Sequence, residues 1–139
     1  MNGRYILLAV CSCFFAQACA GPTRPPEDLL ALSEAQMKIR SYQTRAFDVD
    51  SQDKVVRGVV AALQDLGFII ERANAPMGLV TAGKFAQGGF VELTVTVQAR
   101  GAGQNAVRVN ALFNTQPVED PKVYQNFFAA VERSLFISS

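Results

Sequence analysis

The chain has 139 residues, 50% of them hydrophobic and 18% charged, with a formal net charge of +1. That is room for one ordinary domain and not for two. It excludes a disordered polar tail and a strongly basic nucleic-acid binder. The chain also has no His and no Trp, so neither a Ser-His-Asp triad nor a Cys-His pair can be assembled.

The first element reads as an address. Arg4 precedes an apolar run over residues 5–15, and small residues follow at Ala16 and Ala18. Charge, short apolar core and small-residue cleavage site are the three parts of a secretory signal. The run is shorter than the roughly twenty residues a membrane-spanning helix needs. Residues 1–18 are therefore expected to be removed and take no part in the fold.

Ala18-Cys19, placed at the end of that run, resembles the lipobox of bacterial lipoproteins. The resemblance implies that the Cys19 thiol carries a diacylglyceryl group, that the leader is cut before it, and that the new N-terminus is acylated. Gln17, where a small residue is usual, departs from the pattern, as does Ala16, where Leu is commonest. The alternative is ordinary cleavage near Ala18 or Ala20. Cys11 and Cys13 lie inside the leader, so the mature chain is left with no disulfide-capable pair. Two or more acyl chains hold a protein stably on a bilayer, whereas one does not. Ala20 rather than Asp follows Cys19, and by resemblance to sorted lipoproteins this implies the periplasmic leaflet of the outer membrane. Losing Arg4 with the leader leaves basic and acidic residues equal in number. Electrostatic attraction to nucleic acid or anionic lipid is not supported.

Residues 19–41 then form the lipidated N-terminus and a tether. Pro22, Pro25 and Pro26 favour an extended spacer. Over 27–40, Leu29, Leu30, Leu32, Met37 and Ile39 predict a short helix, with a partly ordered tether as the alternative. A single globular domain is expected over 42–139.

Within it, Thr44 to Val49 reads as a strand with Phe47 and Val49 on one face. Asp50 or Ser51 caps a helix and Asp53 suits its positive end. Val56, Val59, Val60, Leu63 and Leu66 form its apolar stripe, and Gly67 ends it. Residues 68–72 and 79–84 read as strands around a breaker-rich turn at 74–78, and residues 85–89 read as a loop. Residues 90–100 alternate, with Val91, Leu93, Val95, Val97 and Ala99 against Glu92, Thr94, Thr96, Gln98 and Arg100. That pattern belongs to a strand with one buried and one wet face. The alternation repeats at Val107, Val109, Ala111 and Phe113, with Arg108 and Asn110 outside. Asp120 caps the last helix and Pro121 takes its first position. Its stripe of Tyr124, Phe127, Phe128, Val131 and Leu135 reads as core. The order β-α-β-β-β-β-α predicts an α+β fold of two layers, a mostly antiparallel sheet with two helices on one face.

Little chemistry is available. Phosphate-binding glycine motifs are missing, and no cofactor or metal is expected. Asp48, Asp50 and Asp53 cluster around one helix start, but without the spacing of a calcium loop, and capping accounts for two of them. Two features suggest binding. In the stretch 84–90, Lys84, Phe85 and Phe90 flank two glycines. Phe85 and Phe90 there are either exposed anchors or rings closing the core. The wet sheet face, with Arg100 and Arg108 among its polar residues, is either merely solvated or a docking surface.

Three stretches carry a wider resemblance: Thr44-x-x-Phe47-Asp48, then Leu63-Gln64-Asp65-Leu66-Gly67-Phe68-Ile69-Ile70, then Gly78-Leu79-Val80-Thr81-Ala82. Together they resemble a group of small bacterial lipoproteins of uncharacterised function. The element order is also similar to the helix-grip domains of the BamC lipoprotein of the outer-membrane β-barrel assembly machine, a likeness of fold that carries no function. The expectation is a membrane-anchored envelope lipoprotein, a non-catalytic accessory or structural subunit with an envelope protein as partner. The alternative is a periplasmic binding module for a lipid, glycan or other small ligand in the sheet–helix cleft, which needs that cleft not to be filled by Leu63, Phe127 and Phe128. An enzyme working through carboxylates alone would depend on Asp48, Asp50 and Asp53.

Overall fold

The computed structural model describes residues 33–101 and 103–137. Its elements in chain order are α1 (Glu34–Tyr42), β1 (Thr44–Phe47), α2 (Gln52–Asp65), β2 (Ile69–Asn74), β3 (Leu79–Ala86), β4 (Gly89–Ala99), β5 (Asn105–Phe113), β6 (Gln116–Pro117) and α3 (Pro121–Ile137). The five expected strands form one antiparallel sheet in the order β1-β5-β4-β3-β2, with β6 added beside β5. The α+β architecture is as the alternation patterns require. The leader, Cys19 and most of the expected tether lie outside the described residues.

Helix α1 starts later than its apolar residues suggest. Ser33 and Gln36 form a reciprocal capping box, which satisfies amide donors that the first turn leaves without partners. Ser51, rather than Asp50, caps α2 by accepting the Lys54 amide at 3.3 Å. Gly67 takes φ +78° directly after α2, and the Phe68 amide returns to Leu63 O at 2.9 Å.

The two main helices cover the same face of the sheet. Val55, Val56, Val59, Ala62 and Leu63 of α2 and the expected α3 stripe are buried with Val80, Leu93, Val95, Val97, Val107 and Val109 in one core. Each buried Val, Leu or Phe among them contributes about 1.5–3 kcal/mol relative to an exposed position. The α2 stripe is rotated from its expected centre: Val55 and Ala62 are fully buried, while Val60 and Leu66 pack only at the margin. The cause is α3, which crosses α2 at Gly58, where a Cβ would stand 2.7 Å from Leu135 Cδ2.

The outer edge of β5 is closed by several pieces. β1 pairs with its first half and β6 with its end. Between them Val109 N donates to Gln43 O at 2.9 Å, and Val118 N donates to Ala111 O at 2.9 Å. The Tyr124 hydroxyl donates to Val118 O, which ties this edge to α3. At the opposite edge β2 carries an irregularity between Ile70 and Arg72. A bulge with charged neighbours blunts an edge against unwanted pairing.

Candidate functional site

The second face of the sheet is not covered by any helix among the described residues. Register places Thr81, Thr94 and Asn110 in one row across it, and Leu79, Thr96, Arg108 and Thr44 in another. Glu92, Gln98, Arg108 and Asn110 on it are exposed. The expected wet face is thus present, with an aromatic corner at one end.

That corner is built by a tight hairpin. β3 runs on to Ala86 and β4 begins at Gly89, so the expected loop 85–89 shrinks to Gln87-Gly88, with Phe85 opposite Phe90. The longer strands follow from Asn114, a residue that no periodicity singles out. Its side-chain oxygen accepts the Phe90 amide at 2.9 Å, and its amide group donates to Gly88 O at 3.1 Å. Its own backbone N–H donates to Phe90 O at 3.0 Å. Gly89 makes room, since a Cβ there would stand 2.2 Å from the Asn114 side chain. Asn114 and Thr115 hold φ of 46° and 71° in the turn into β6. Asn tolerates that region far better than most residues. The adjacent pair Asn114-Thr115 is the one sequence signal for this turn.

Phe85 is 86% exposed. Its ring meets Phe90 edge-on, with centroids 5.1 Å apart and planes at 62°, a favoured aromatic geometry. Neither ring closes the core. Phe90 instead lies over Gly83, where a Cβ would stand 2.3 Å from its Cζ. Ile69, 73% exposed, is the register partner of Gly83 from β2. Glu92 is its partner from β4, and Glu71 Oε1 stands 3.0 Å from that same Cβ position. The corner is thus an apolar patch of exposed Phe85 and Ile69 and half-buried Phe90, bordered by two exposed carboxylates. Neither carboxylate is in an ion pair among the described residues.

The other expected site residues are not gathered there. Lys84 faces the helices: its Nζ donates to Leu66 O at 3.0 Å and sits 4.5 Å above the Phe68 ring. Alternation along β3 turns it away from its neighbour Phe85. Arg108 shares the open face, but it pairs with Thr96, about 20 Å from Phe90 along the strand. Arg100 lies in the far hairpin, where its amide bonds Gln104 O at 2.8 Å. Cys19 lies outside the described residues.

Two of the three aspartates around the start of α2, Asp48 and Asp53, have structural partners. Asp48 accepts from Gln104 Nε2 at 2.5 Å, and Asp53 pairs with Arg57 at 2.7 Å. Among the described residues no group of three or more His, Cys, Asp or Glu is placed to hold a metal ion. None of their helices is long and apolar enough to cross a membrane. In the cleft between helices and sheet, Leu63, Phe127 and Phe128 fill the middle. The chain matches no family model, and no curated protein matches it.

Proposed function

We propose that this chain is a lipid-anchored lipoprotein of the bacterial envelope, held through Cys19 in the periplasmic leaflet of the outer membrane. It acts as a non-catalytic accessory or structural subunit of an envelope complex. The observation that carries this reading is the Phe85–Phe90 corner on the open sheet face. Large aromatic side chains on a rigid scaffold are the usual anchors of protein–protein contacts. Here a two-residue hairpin locked by Asn114 holds them outward. Glu71 and Glu92 beside them favour a partner surface that brings basic residues to an apolar centre. The leader and the Ala18-Cys19 junction support the anchor. The scarcity of catalytic groups in the sequence supports a binding role.

The test is site-specific photocrosslinking in intact cells from position 85, with position 57 on the helix face as control. One reproducible envelope protein is expected from position 85, with none from position 57. Cys19→Ala is expected to abolish the capture. Equal products from both positions, or none from 85 with the anchored protein present, would overturn the reading.

A further inference from the structure

The cleft that is filled at its middle opens at the hairpin end. There a groove of about 240 Å³ lies between the end of α2, the inner face of the sheet and the first turns of α3. Leu66 and Phe68 after α2, Val91 and Leu93 of the sheet, and Val123 and Phe127 of α3 line it. Val123 is 39% exposed, so the groove is open along α3. Lys84 joins this apolar lining.

The charge on Lys84 is the informative feature. It is half-buried, and its two close partners are the Leu66 carbonyl and the Phe68 ring. Both orient a cation, but neither neutralises it. No carboxylate forms an ion pair with it among the described residues. A fixed cation in an apolar groove fits a ligand with one anionic head and one apolar chain.

We infer that this groove binds a single medium-length fatty acid, its carboxylate on Lys84 and its chain along Val91, Leu93 and Val123. A carboxylate is preferred to a phosphate because the site offers one lysine with a donor already engaged, and no arginine to clasp a dianion. The groove's size suits one apolar chain. This site lies on the helix side of the sheet, opposite the Phe85 corner, and stands independently of the docking proposal.

The test uses the full chain carrying Cys19→Ala, so that no covalently bound acyl chain competes. Dodecanoate, dodecanol and dodecyl phosphate are titrated by calorimetry, and the carboxyl carbon of labelled dodecanoate is followed by NMR. Dodecanoate is expected to bind saturably, with dodecanol weaker by about ten-fold. Lys84→Gln is expected to remove that difference, and Lys84→Arg to keep most of it. Val123→Trp, at an exposed rim position, is expected to abolish binding of both while leaving the amide fingerprint of the fold intact. The inference is overturned if dodecanoate does not bind, if Val123→Trp leaves binding unchanged, or if dodecanol binds as well as dodecanoate. Tighter binding of dodecyl phosphate would overturn the choice of head group.

Discussion

At the scale of single residues, Asn114 links more of the molecule than its place in a surface turn suggests. One side chain and one amide bridge the β5–β6 turn to the β3–β4 hairpin, and the backbone there needs positive φ. Two substitutions separate these roles. Asn114→Ala loses the bonds and strains the backbone, and should destabilise by about 1–3 kcal/mol. Asn114→Gly loses the same bonds but accepts the φ, and should cost less. Urea denaturation measures both. If the two variants proved equal, the backbone conformation would not matter. Phe85→Ser gives the complementary result, since its ring is exposed. Its stability should stay within about 0.5 kcal/mol of the parent while capture from the open face falls.

At the scale of elements, the crossing of α2 and α3 depends on a small residue. Leu135 lies against Gly58 so closely that a Cβ would meet two of its carbons, at 2.7 and 3.1 Å. Gly58→Val should therefore force the helices apart, at a cost of about 1–3 kcal/mol from overpacking. In a Leu135→Ala background the same change should cost clearly less, because the space it needs has been vacated. A double-mutant cycle measures this coupling, and additive effects would show that the crossing is not set by this contact. The same crossing explains the rotated α2 stripe. Periodicity locates the apolar face of a helix to within about a residue. The partner helix decides which flank of that face is sealed.

At the scale of the whole domain, one apolar core joins the sheet to both main helices, while charge contributes little. The two ion pairs among the described residues, Arg45–Glu132 and Asp53–Arg57, have side chains 42–74% exposed. Each is worth about 0–1 kcal/mol and is screened by salt. Thermal unfolding should thus be a single cooperative transition, seen alike by far-UV and near-UV circular dichroism. Its free energy should change by no more than about 1 kcal/mol between low and high salt. A large salt dependence, or two separated transitions, would contradict this account.

Local chemistry makes several features of this molecule legible in its sequence. The alternation in β4 and β5 sets the sheet and its wet face. Asp120-Pro121 and Gly67 mark helix ends, because a cap or a left-handed residue acts within one turn. The pair Phe85 and Phe90 is also readable as a candidate, but its orientation is not. Whether those rings face the core or solvent depends on the register of β3 with β4. Asn114, distant in sequence, extends that pairing to the hairpin. The distance of Arg108 from the corner and the open end of the helix–sheet cleft have the same origin. Each depends on long-range contacts that a run of neighbouring residues does not encode. Periodicity is a property of a segment, so the sequence alone determined the main helices and the five principal strands and, to within about a residue, their apolar faces, but not β6 or the length of the β3–β4 hairpin. A site is a property of segments brought together, so only the tertiary structure decided which side chains share one.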